Sequence, residues 1–223
     1  MLSFPKSKEF IRRISKQKFY DKLLVTPGLK RAFIEQISVI YWRNKLATTT
    51  LNVGQGERVT ELEIFEIKLN QPSLDSKILQ LIDKEIPYHI LFLLEHNGEY
   101  QAWIGYKESS LAKTVIFKVN NYYHTKWMPL NKLPLRMDGL HMDEIYDNFI
   151  RQVAGERLFD KGNNKPGAQA NIKDAIDRDN MRQKFIKQIA ALEAKMKNEK
   201  QFSIQVKLNA ELKMLKKELE ELN

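Results

Sequence analysis

No cysteine occurs among the 223 residues. That absence removes disulfides, thiolate nucleophiles and every cysteine-based zinc site, and it fits a reducing compartment. Long apolar runs are missing as well. The longest, Ile90 to Leu94, falls far short of the ~20 residues that a membrane-spanning helix needs. The opening residues, MLSFPKSKEFIRR, lack the continuous apolar stretch of a signal peptide. The expectation is a cytoplasmic protein with no membrane partner. There is no Gly-x-Ser-x-Gly elbow, and Gly54-Gln55-Gly56 precedes a strand-like run rather than a helix start, which argues against a nucleotide-phosphate loop. None of His89, His96, His124 and His141 pairs with another at helix-face spacing, so a metal site would have to be assembled across the fold. No cofactor is predicted.

What is present is a core-forming composition, 43% hydrophobic, with an uneven net charge of +9. Residues 1–45 carry 11 Lys/Arg against 3 Asp/Glu, a local balance of +8; residues 46–159 balance at −3 and residues 160–223 at +4. Positive potential concentrated in the N-terminal fifth points to a polyanionic partner there, a nucleic acid being one reading and a merely solvated basic face the other.

Residues 5–24 interleave bases with Phe10, Ile11, Ile14, Phe19, Tyr20, Leu23 and Leu24 at helical spacing, predicting one or two short surface helices. Their polar face would carry Arg12, Arg13, Lys16 and Lys18. Thr26-Pro27 then reads as a cap and first turn, opening a helix with Leu29, Phe33, Ile37, Ile40 and Tyr41 on one face as far as Lys45. Lys30 and Arg31 lie off that face and extend the basic surface. Together these six bases form the predicted nucleic-acid contact, directed at phosphates rather than base edges.

Strands are expected at Thr48–Val53 and Val59–Leu69, paired as a hairpin, then at Tyr88–Glu95 and Tyr100–Tyr106 across Asn97-Gly98. A further hairpin is expected from Thr114–Val119 and Tyr122–Trp127 across Asn120-Asn121. Helices are expected at Asp75–Lys84 and Met142–Ala154. Leu62, Ile64, Phe65 and Ile67 would feed both faces of the sheet. The aromatic run Tyr122 to Trp127 matches core packing better than a base-stacking surface, because strand alternation produces the same pattern.

Residues 155–171 shift toward Gly, Asn and Lys and mark a linker between a globular domain, 1–154, and a helical tail, 172–223. In the tail, Leu208, Leu212, Leu215, Leu219 and Leu222 repeat at alternating four- and three-residue steps, as do Phe185, Ile189, Leu192 and Met196. The two stripes differ in register, which predicts a helical hairpin bending near 198–202, with one stuttering helix as the alternative. Arms this short need a partner, whether each other, a second copy or another protein, and the leucine stripe is the expected interface. The fold class is therefore α+β (mixed α/β), with a central, mostly antiparallel sheet of about six strands flanked by helices, plus a C-terminal helical hairpin or coiled coil.

One triplet bears on chemistry. Glu66-Ile67-Lys68 matches the acid-x-lysine pattern of metal-dependent nucleases, and Glu63 could add an oxygen ligand for Mg²⁺. Composition alone predicts about three such triplets. Four occur, starting at Glu66, Asp75, Glu193 and Glu211, and no Asp lies between Ala47 and Leu74 where a first metal acid belongs.

The segments FPKS, ISKQKFY, IYWRNKLA, TTLNV, ELEIFEI, LIDKEIPYHILFLLE and QIAALEAK...QFSIQVKLNAELKMLKKELE resemble those of one bacterial family, the domain of unknown function numbered four-three-nine-one. The resemblance spans nearly the whole chain. It implies genes beside restriction-type helicases and DNA methyltransferases, hence an accessory role in DNA modification or phage defence, and it carries no catalytic motif across. Two readings follow. The first is a non-catalytic component that touches DNA through its basic head, and a helicase, a methyltransferase or a second copy through its tail. The alternative is a divergent Mg²⁺-dependent nuclease using Glu63, Glu66 and Lys68.

Overall fold

The basic head forms an edge strand over much of its length, where helical spacing predicts a surface helix. The computed structural model describes residues 9–21, 25–109, 117–158 and 171–222. Within them Glu9–Ile14 is β1, and only Gln17–Tyr20, α1, is helical. A short isolated helix is marginal in water, whereas an open sheet edge offers a ladder of backbone partners. Leu23 and Leu24 lie outside the described residues.

The second correction falls on the next helix. Thr26 caps it as its sequence predicts, accepting the Leu29 N–H at 3.3 Å, with Pro27 in the first turn. But α2 covers Pro27–Gln36, and Ile37–Ala47 continues as the long strand β2. The run from Ile37 to Trp42 is rich in β-branched and aromatic residues, which favour a pleated surface. Two register shifts on β2, between Ile37 and Val39 and between Trp42 and Asn44, insert an extra residue each time. Burial therefore recurs at Ile37, Ile40 and Asn44, a helix-like spacing produced by a bulged strand.

β2 pairs antiparallel with β3, Glu61–Leu69, so β2 takes the place expected of Thr48–Val53. Thr50 ends β2 instead: its Oγ1 accepts the Ala47 N–H at 2.9 Å and donates to the Lys45 carbonyl at 3.0 Å. Helix α3, Ser76–Glu85, is capped by Asp75 and crosses over to β4, His89–His96, which lies parallel to β3. Asn97 and Gly98, at φ 51° and 83°, turn β4 into β5, Glu99–Ser109, as a two-residue hairpin demands. β6, Phe117–His124, runs straight through Asn120-Asn121, where a register shift in its pairing with β5 absorbs the pair that reads as a turn. Of the strand expected at 114–119, residues 114–116 lie outside the described residues. The two-residue β7, Met128–Pro129, also pairs with β5. The sheet order is β1-β2-β3-β4-β5-β6, antiparallel except for β3/β4.

Alternation along β3 and β4 sorts the core onto two faces. Phe65, Ile67, Ile90, Phe92 and Leu94 pack with Phe33 of α2 and Ile78, Leu79 and Ile82 of α3, all nearly inaccessible. Leu62, Ile64, Leu91 and Leu93 fill the other face, fully buried. At about 1.5–3 kcal/mol per buried large side chain, this double-sided core is the main source of stability. Helix α4, Met142–Ala154, packs on β5, where the Tyr146 hydroxyl donates to the Gly105 carbonyl at 2.5 Å and accepts the Lys107 N–H at 3.0 Å.

The chain divides into two compact units, Met1–Ala154 and Gly155–Asn223. In the second, a 3-10 turn at Gly155–Leu158 is followed by α5, Ile172–Asn198, and α6, Phe202–Glu221. Residues 159–170, most of the expected linker, lie outside the described residues. Glu193–Lys216 at 2.8 Å and the bond from Arg182 Nη2 to the Leu222 carbonyl run α6 back along α5, so the tail is a helical hairpin.

Candidate nucleic-acid interface

The structure divides the six predicted contact bases into two groups. Arg12, Arg13, Lys18 and Arg31 are exposed and have no ion-pair partner among the described residues. Lys16 and Lys30 already hold the fold. Lys16 sends its ammonium to the carbonyls of Ile37 at 2.6 Å and Ile34 at 3.3 Å, where a cation suits the end of α2. Lys30 lies 3.6 Å from Asp21 and 5.1 Å from the centre of the Tyr20 ring. The register Arg12↔Trp42 and Arg13↔Tyr41 puts the two adjacent arginines on opposite faces of the sheet edge. Arg13 and Lys16 border a pocket of about 420 Å³, together with Ser15, Tyr20 and Ser38.

The acid-x-lysine residues are not brought together. Glu63 shares the face of Phe65 and Ile67, whereas Glu66 and Lys68 project from the reverse face. Glu63 is buried, accepts from Trp42 Nε1 at 2.5 Å and is hydrogen-bonded to Glu61, which in turn meets Lys45 at 2.5 Å. Burial first, then Glu61, push the Glu63 carboxyl up to about 8 against the pull of Trp42 and Lys45. For Glu61, burial works upward, but the hydrogen bonds from Glu63 and Lys45 leave it lowered. On the reverse face Glu66 is ion-paired with Arg43, and Lys68 stands 3.9 Å from Glu95. Among the described residues no group of three or more His, Asp or Glu is placed to hold a metal ion.

Other polar groups singled out in the sequence serve packing. Tyr123 is fully buried, Tyr122 donates to Asp83, and His124 stacks on Trp103 at 4.3 Å. His89 sits edge-on to Tyr146 at 4.4 Å, and burial, with Lys107 and Arg58 nearby, holds it down to about 3. Lys107 and Asp83 form a buried pair at 2.8 Å, with the Lys107 ammonium also on carbonyls at the end of α3. Burial pushes Asp83 up and Lys107 down.

Asp143 was missed by sequence reasoning. Its carboxylate, in the first turn of α4, accepts the N–H groups of Glu57 at 2.9 Å, Arg58 at 3.1 Å and Val59 at 2.7 Å. The glycine-containing loop does cradle an anion, but that anion is the chain's own side chain. A Cβ on Gly56 would lie 2.2 Å from the Asp143 oxygen, so the loop closes only around glycine. Residues 86 positions apart in the chain give no local signal of this.

In the hairpin, Leu208 and Leu212 are buried and Leu215, Leu219 and Leu222 half-buried, so the leucine stripe lies in the seam with α5. The interface expected of the stripe is the one between the two arms. Phe202 (78% exposed), Val206 (52%) and Met214 (65%) are instead the apolar side chains that α6 leaves outside.

No helix among the described residues is long and apolar enough to cross a membrane. A family model described as Domain of unknown function (DUF4391) matches residues 2–219. Neither the curated proteins nor the solved structures include a match to the chain.

Proposed function

We propose, for a chain that belongs to the DUF4391 family, a non-catalytic accessory role in a bacterial DNA restriction-modification or phage-defence system. The basic head contacts DNA, and the outer surface of the helical hairpin engages a helicase, a methyltransferase or a second copy. One observation carries the DNA part. Arg12, Arg13, Lys18 and Arg31 stand exposed and uncompensated by any described carboxylate, while the sheet acids Glu61, Glu66 and Glu95 each have a basic partner. Cations left unpaired in a segment of local charge +8 suit phosphate contacts that position a duplex without reading it. The system-level part rests on the family resemblance and the neighbouring genes that it implies.

Fluorescence anisotropy with labelled duplex, over a range of salt concentrations, tests the reading. The intact chain should bind with a steep salt dependence and little sequence preference. Replacing Arg12, Arg13, Lys18 and Arg31 together by Gln should weaken binding at least ~10-fold and flatten the log–log salt slope by about 3.6, roughly 0.9 per cation. Salt-independent binding, no binding at all, or an unaffected quadruple variant overturns it.

A further inference from the structure

β1 leaves the sheet sooner than β2 does. The last β1 pair is Ile14↔Ile40, yet β2 starts at Ile37, so three residues of β2 face a corner that β1 does not cover. The chain turns there through Ser15 and Lys16 into α1, and the corner becomes the pocket of about 420 Å³. Its lining includes the apolar Ile14 and Val39 and the polar Arg13, Ser15, Lys16 and Ser38.

We infer that this corner is a phosphate-binding pocket, and that within the DNA reading, on which this use rests, it takes one backbone phosphate at the sheet edge. Three features support the choice of ligand. Among the described residues no carboxylate lines the pocket, and two cations do. Arg13 has no ion-pair partner among the described residues, so its planar fork is free for two oxygens. Lys16 is fixed by two carbonyls, at 2.6 and 3.3 Å, and an ammonium has three N–H donors, so one remains for a ligand without any reordering of the side chain. Ser38, one of the extra residues at the β2 register shift, adds an exposed hydroxyl, and a bulge is a common way to re-aim a side chain at a ligand. The volume exceeds what a phosphate group needs, leaving room beside Ile14 and Val39 for the attached sugar.

Two measurements on the full chain separate this pocket from the wider DNA reading. In the first, inorganic phosphate is titrated into ¹⁵N-labelled protein. The Ser15 and Ser38 amide resonances should shift saturably in the parent and in Lys126→Gln, which changes an exposed lysine that does not line the pocket. They should not shift in Arg13→Gln, whose exposed side chain can be replaced without disturbing the core. In the second, the salt slope for duplex binding should fall by about 1 in Arg13→Gln, equally for unrelated sequences, and stay unchanged in Lys126→Gln. Phosphate shifts without DNA binding would assign the pocket to free phosphate or a mononucleotide and sink the DNA reading alone. DNA binding without phosphate shifts, and with an unchanged slope in Arg13→Gln, would sink the pocket alone.

Discussion

Glu63 shows how one buried side chain makes the whole chain's stability depend on pH. Its folded value, about 8, lies above the ordinary carboxylate value of 4.5. Between those values the folded chain keeps a proton that the unfolded chain has released, so stability falls as pH rises through the window and levels off above it. His89, held near 3 against an ordinary 6.5, works the other way: below 6.5 the unfolded chain gains a proton that the folded chain refuses. Glu63→Gln mimics the protonated carboxyl, still accepting from Trp42 and donating to Glu61. We expect it to remove the decline, making the variant roughly 2–4 kcal/mol more stable than the parent at pH 8, the rest of the full effect being screened by solvent, and nearly equal at pH 4. Urea unfolding at several pH values checks this, and a variant that keeps the parent's decline refutes it. Asp143 holds the fold by its hydrogen bonds, to the N–H groups of Glu57, Arg58 and Val59. Asp143→Ala strands three amide donors, and should cost about 3–4 kcal/mol in the same measurement.

At the scale of elements, legibility followed how local the determining contacts are. Asp75, Thr26 and Asn97-Gly98 act within three residues of themselves; the Thr26 cap and the turn are where their sequence puts them, and Asp75, read as the first residue of its helix, is the cap one position before it. The hairpin of α5 and α6 was readable because its two stripes break register at residues that form the bend. β1 and β2 were not readable as strands. A bulge restores helix-like spacing along Ile37, Ile40 and Asn44, and an edge strand is decided by its neighbour rather than by its own propensity. The candidate site divides the same way: charge density identified the basic head, but which cations are free depends on carbonyls and acids brought in by other elements. Seam and surface within α6 are separable by substitution. Leu212→Ala should lower the protection of α6 amides in hydrogen exchange by about 2–3 kcal/mol, whereas Met214→Ala, two residues on, should change it by under ~0.5. Equal effects from both would mean that the seam has been misplaced.

For the molecule as a whole, two compact units carry two different surfaces. Positive charge without local compensation lies in the first unit, and exposed apolar side chains, Phe202, Val206 and Met214 among them, lie on the last helix of the second. Polyanions are bound by charge and weakened by salt, whereas apolar surfaces are bound by burial and are far less sensitive to salt. The two activities proposed for the chain should therefore be lost independently. Phe202→Glu with Val206→Glu changes only exposed positions, so the hairpin should fold and the chain should bind duplex with its original salt slope. Self-association, followed by sedimentation across a hundredfold range of protein concentration, should fall toward the monomer in that variant. In the quadruple head variant, self-association should remain as in the parent while DNA binding weakens. A tail variant that loses DNA binding while still folded would show that duplex contact needs both units, and the division of labour between head and tail would then be wrong.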